Sequence, residues 1–174
     1  QQPTTAIYLP YDETIYQRAV DWYHKTQRTC REWQANLLKS IYGINKDGLW
    51  AHTKFGYSVP RRNGKNEVVA IREFDGLMAG ERILHTAHRT TAAHMAWERL
   101  GTLLDQAGVE YKSLKGIGRE RIDIPETGGV IEFRTRSAKG GLGEGFDLLV
   151  IDEAQEYTDD EESALKYVVS DSDN

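Results

Sequence analysis

Apolar residues recur at helical spacing over residues 12–26, where Ile15, Ala19, Trp22 and Tyr23 share one stripe and Asp12 is the expected N-cap. A second helix is predicted over 31–42, on Trp33, Leu37, Leu38 and Ile41, stopping at Gly43. Residues 43–50 read as a connection with Asn45-Lys46-Asp47-Gly48 as its tight turn. Residues 55–60 then read as a strand, 61–66 as a tight loop, and 67–74 as the start of a helix. A break over 78–81 precedes a strand at Arg82–Ala87, and Thr90 opens a helix through Met95, Trp97, Leu100, Leu103 and Leu104 that ends at Gly108. Short strands over 109–113 and 121–124 lead to the hairpin turn Glu126-Thr127-Gly128-Gly129 and a strand over 130–135. The glycine-rich stretch 140–145 reads as a flexible loop, and a last helix is expected over 159–167.

This order of elements predicts an α/β fold with a mainly parallel central sheet flanked by helices, N-terminal helices and a β-hairpin insertion. The run Leu148-Leu149-Val150-Ile151 reads as a central strand covered on both faces, and it ends in Asp152 and Glu153. Ligands of open α/β sheets bind outside the carboxyl ends of the strands, so the two acids are candidate site residues. A nucleoside triphosphatase needs one carboxylate for Mg2+ and another to orient the attacking water.

The second half of such a site lies upstream. In Arg61-Arg62-Asn63-Gly64-Lys65-Asn66, between a predicted strand and a predicted helix, Gly64 permits close backbone approach and Lys65 supplies a point charge for phosphate. Val59 stands where the phosphate-loop pattern expects its first glycine, and Asn66 where it expects a hydroxyl. Read alone, 61–66 is equally a solvated basic turn. The two motifs together, in the required order and each at the end of a predicted strand, favour nucleotide chemistry.

Length and composition narrow the partners. At 174 residues, 39% apolar and 28% charged, the chain is expected to form one soluble domain, with no stretch of membrane-spanning length and no secretory signal. The opening Gln1-Gln2-Pro3 lacks an initiator Met, and the reading is of a fragment. A net charge of −5 argues against a domain-wide nucleic-acid footprint, although Arg61/Arg62/Lys65, Arg119/Arg121 and Arg134/Arg136/Lys139 form local basic clusters. The lone Cys30 reads as a packing residue, and His85, His88 and His94 lack the spacing of a zinc site.

Taken together, Trp33-Gln34, the 59–66 loop, the turn Thr86-Ala87-His88-Arg89-Thr90, and Gly143-Glu144-Gly145-Phe146-Asp147 leading to Asp152-Glu153-Ala154 resemble the N-terminal ATPase domain of the large terminase subunit of tailed bacteriophages. The resemblance spans about residues 30–157 and implies a P-loop NTPase of the ASCE type. It further implies a motor that hydrolyses ATP with Mg2+, working as a homo-oligomeric ring at the procapsid portal in the host cytoplasm. Double-stranded DNA, the portal protein and the small terminase subunit are its implied partners. By residue, it implies Lys65 on the β- and γ-phosphates, backbone of Asn63 and Gly64 on the same groups, Arg61 or Arg62 on γ-phosphate charge, and Gln34 on adenine. Asp152 would hold Mg2+ and Glu153 would activate water.

The chain departs from the family in three places. Asn66 replaces the usual hydroxyl residue, leaving a longer neutral ligand for the metal. Leu142 stands where some relatives carry an arginine that reaches a neighbouring subunit, so Arg136, Arg134 or Lys139 becomes the nearest candidate. The coupling strand and the nuclease domain are expected to be missing. Two other readings stay open: a helicase-like DNA translocase, and a nucleotide-binding module without turnover.

Overall fold

The chain begins with a short antiparallel pairing of β1 (Glu13–Thr14), which precedes α1 (Tyr16–His24) and α2 (Glu32–Ile41), with β2 (Gly43–Ile44). The computed structural model describes residues 3, 5–116, 119–136 and 145–156; most of the expected glycine-rich loop, with Lys139, Leu142 and Gly143, and the expected helix over 159–167 lie outside them. Helix α1 starts three residues later than an Asp12 cap predicts. Asp12 does not cap it, because the Asp12 N–H donates to the Ile44 carbonyl at 2.9 Å and the chain stays extended through Thr14. The Asn45 turn forms as expected, its side-chain oxygen accepting the N–H groups of Asp47 and Leu49.

Residues 55–60 do not form a strand. Phe55, Tyr57 and Val59 are half-buried between exposed neighbours, the alternation the sequence shows, but no neighbouring strand among the described residues offers them a ladder. Alternation fixes which side chains turn inward; a strand also needs a partner. The segment nevertheless delivers the loop to α3 (Lys65–Met78), and the Tyr57 hydroxyl donates to the Lys65 carbonyl at 2.8 Å.

Strand β3 (Arg82–Ala87), helix α4 (Thr90–Gln106), strands β4 (Lys112–Leu114), β5 (Glu120–Asp123), β6 (Val130–Thr135) and β7 (Leu148–Ile151), and a short 3-10 turn at Ala154–Glu156 complete the described chain. The sheet has the order β4-β5-β6-β3-β7. β3 pairs in parallel with β6 and β7, while β5 runs antiparallel to both β6 and β4, so only β5 opposes the common direction. The β5–β6 hairpin is the expected insertion. The middle of the sheet belongs to β6, with β3 between it and β7, rather than to β7: β7 has one neighbour among the described residues, and its four residues are all half-buried. An apolar run reports burial but not rank within a sheet.

Ile83 and Ala87 of β3 and Ile131 and Phe133 of β6 pack with Phe74 and Leu77 of α3 and Leu100 and Leu104 of α4 in the main core. The N-terminal half of α3 carries Val68, Ala70 and Ile71 into a second core with Ala19, Tyr23 and Leu38 of α1 and α2. The helix that follows the 61–64 loop is therefore packed into both cores, which holds its N-terminus in place. Among the described residues, no helix is long and apolar enough to cross a membrane.

Candidate active site

Gly64 ends the 61–64 loop as the N-cap of α3, at φ +82°, and Arg62 also has positive φ, at +65°. A glycine at position 64 suits that left-handed turn, and a Cβ there would lie 3.2 Å from Gln34 Nε2. Gln34 is buried at 3% exposure and committed at both ends: its oxygen accepts the Arg31 N–H at 2.9 Å, capping α2, and its Nε2 donates to the Gly64 carbonyl at 3.3 Å. Arg61 and Arg62 are exposed, whereas Asn63, Lys65 and Asn66 are half-buried. The loop and the first turn of α3 border an open groove of about 380 Å3, lined by residues 59–62, 64–67 and Arg99.

The structure brings the two sequence motifs together. Lys65 Nζ lies 3.4 Å from Asp152 Oδ1, so the helix N-terminus and the end of β7 meet at one point. Asp152 is anchored through its N–H to the Thr86 carbonyl at 2.9 Å, and its Oδ1 also accepts the Glu153 N–H at 2.8 Å. Glu153 has a left-handed backbone, φ +54°, unusual for a residue with a side chain. Its carboxylate faces Arg89, at the N-terminus of α4: Arg89 Nε donates to Oε1 at 2.9 Å, Nη2 bonds the same oxygen, and the Arg89 N–H donates to Oε2 at 3.2 Å. Burial would raise the Glu153 carboxyl, but the side-chain and backbone bonds from Arg89 outweigh it and hold the group below its ordinary value.

Three residues here, Arg89, Arg99 and Tyr57, were given no role from the sequence, and Arg136 was expected only as a candidate to reach a neighbouring subunit. Arg89 and Arg136 contact the acid pair, Arg99 borders the groove, and Tyr57 holds the Lys65 carbonyl. Arg89 lies at the C-terminal end of β3, so the parallel pairing that puts Thr86 opposite Ile151 also puts Arg89 beside Glu153. That signal was available once β3 and β7 were read as neighbours. Burial, reinforced by the charges of Asp152 and Glu73, pushes the Tyr57 phenol well up.

The basic clusters are spent largely inside the chain. Arg121 pairs with Asp123 at 2.6 Å, Arg134 with Glu132 at 3.4 Å, and Arg136 with the Asp152 and Glu153 carbonyls. Reaching a neighbouring subunit would cost Arg136 those bonds. Two of the three histidines are likewise paired within the chain, His85 with Glu73 at 3.0 Å in a fully buried contact and His94 between Glu120 and Glu98, while His88 is exposed. Burial alone would lower the His85 imidazole, and Glu73 reverses this and raises it.

Among the described residues, no group of three or more His, Cys, Asp or Glu side chains could hold a metal by itself. The donors at the groove fit Mg2+ in the way phosphate-transfer sites use it, with one carboxylate completed by phosphate oxygens and water. Asp152, half-buried and already beside Lys65, would be that carboxylate. Asn66 lines the groove one residue beyond Lys65.

No protein-family model and no curated protein matches the chain. A solved structure does: the large terminase of bacteriophage HK97 superposes with a TM-score of 0.69 at 15% sequence identity. The match covers 87% of this chain and 34% of the HK97 chain, so the present chain spans about a third of that protein's length. The mixed α/β architecture, with its mainly parallel five-stranded sheet, is thus the fold found within a bacteriophage large terminase.

Proposed function

We propose that the chain is the ATPase motor domain of a viral terminase large subunit, hydrolysing ATP to drive double-stranded DNA into procapsids. The observation that carries this reading is the 3.4 Å contact of Lys65 with Asp152 at the carboxyl end of a parallel strand, beside a glycine-capped helix N-terminus. A lysine that pairs with the metal-holding carboxylate exchanges it for phosphate when nucleotide arrives. The first N–H groups of α3 and the loop backbone at Asn63 and Gly64 then face the phosphates.

Lys65, with Arg61 or Arg62 from the exposed side of the loop, neutralises charge on the β- and γ-phosphates. Asp152, with Asn66 of the groove, would hold Mg2+, which would supply positive charge to offset that of the phosphates. Glu153 takes the proton of the attacking water, and to do so its carboxylate must leave Arg89. Gln34 borders the loop from α2, the side on which the base would lie. The active assembly would be a ring at the procapsid portal in the host cytoplasm, with the portal protein and the small terminase subunit as partners.

Phosphate release by wild type and Lys65→Ala tests the reading. Loss of turnover in the variant is expected, and turnover independent of Lys65 would remove the mechanism. A nucleotide-binding module without turnover is the second reading, favoured by the carboxylate of Glu153 being held by Arg89. Nucleotide binding with no phosphate release, even in the assembled ring, would select it.

A further inference from the structure

Arg136 follows the last residue of β6, is 6% exposed, and makes bonds that tie this end of β6 to the ends of β3 and β7. Its N–H donates to the Ala87 carbonyl at 3.2 Å, Nη1 donates to the Asp152 carbonyl at 2.6 Å, and Nη2 donates to the Glu153 carbonyl at 3.1 Å. Successive carbonyls in an extended strand point to opposite sides, so one guanidinium cannot reach both. They converge only if the residue between their peptide planes turns, and that residue is Glu153, at φ +54°. The rigid fork of an arginine matches this pair, whereas the single ammonium of a lysine does not.

We propose that Arg136 is a positioning residue: its guanidinium, bonded to the carbonyls of Asp152 and Glu153, holds Glu153 in the left-handed turn that sets the Glu153 carboxylate apart from that of Asp152 and aims it at the N-terminus of α4. This rests on the hydrolytic reading above only for the consequence, not for the geometry. The Asp152 N–H is fixed independently by Thr86, so loss of Arg136 would leave Asp152 in place and let Glu153 relax toward extended backbone. Strain of this kind persists only where the surroundings hold it.

The test compares wild type with Arg136→Lys and Arg136→Ala, the lysine variant retaining charge and stem should the alanine variant unfold. In the nucleotide-free chain at fixed pH, the 13Cα and 13Cβ shifts of Glu153 report its backbone conformation. Both folded variants are expected to lose the left-handed signature at Glu153 while Asp152 and Thr86 keep their shifts. In phosphate release, kcat is expected to fall on the order of a hundredfold, as for a misplaced catalytic group, with the ATP KM within about threefold of wild type. Free guanidinium ion below denaturing concentration should restore part of kcat in Arg136→Ala and none in Arg136→Lys, where the cavity is filled. A Glu153 that stays left-handed in both variants overturns the proposal, as does unchanged kcat. If wild type itself shows no Lys65-dependent turnover, the ATPase reading fails and the Glu153 shifts alone decide the role of Arg136.

Discussion

The carboxylate of Asp75 is sealed at 0% exposure between the N-terminal helices and α3, and its removal should cost more than its exposed partner suggests. Arg18 Nε and Nη2 donate to its two oxygens at 2.7 and 2.9 Å, and the Tyr42 hydroxyl donates to Oδ2 at 2.8 Å. Asp75→Ala strands a fully buried Tyr42 hydroxyl, worth about 1–3 kcal/mol. It also loses a pair whose arginine side chain is 48% exposed and recovers water, adding only ~1 kcal/mol. The expected sum is about 2–4 kcal/mol. Arg18→Ala should cost at least as much, about 3–5 kcal/mol, because it leaves a buried anion with one neutral donor. Tyr42→Phe, which leaves Asp75 its arginine, should cost least, about 1 kcal/mol. Urea unfolding at neutral pH measures all three. With a slope of about 2 kcal/mol per molar, the Arg18→Ala midpoint should fall by roughly 2 M. An Arg18→Ala loss below that of Tyr42→Phe would refute the reasoning, since it would mean that Asp75 reaches water when its partner leaves.

Gly129→Ala should lower the melting temperature strongly, by the equivalent of about 2–3 kcal/mol, because a Cβ there would come within 2.8 Å of Leu77 backbone atoms, which cannot swing aside. The Tyr23 phenol is pushed up to about 12 by burial and by its bond to Glu67. A raised pKa stabilises the protonated form, so this contribution is complete below the unfolded value of about 10 and is lost as pH rises from there through about 12. Tyr23→Phe should flatten the alkaline fall in urea midpoint over that interval. Arg89→Ala should raise the Glu153 carboxyl, read by 13C NMR, because burial is then unopposed. In wild type that lowered carboxyl contributes stability above the ordinary carboxylate value and loses it as pH falls, and the variant should show less of this slope.

Local pattern was enough wherever a single segment decided the outcome. The strand at Arg82–Ala87, the helix from Thr90, the hairpin into β6 and the glycine-capped start of α3 were all legible from spacing and turn residues. It failed at 55–60, where the alternation is present without a ladder, and at Asp12, where pairing with Ile44 overrode a capping residue. Gln34 depends on packing of the same kind. The family resemblance implies it on adenine; in this chain its amide also binds Arg31 and Gly64, an arrangement that depends on how α2 docks beside the loop.

The sequence by itself determined the chemistry on offer: a Gly-Lys pair at a helix start and two acids at the end of an apolar strand. Only the tertiary structure decided that these meet, with Lys65 3.4 Å from Asp152, because strand order and docking of α3 are set by contacts distant in sequence. It also decided what holds the acids. Arg89 and Arg136 reach Glu153 and Asp152 because the ends of β3 and β6 lie beside the end of β7, and nothing in local spacing reports which strand ends share an edge.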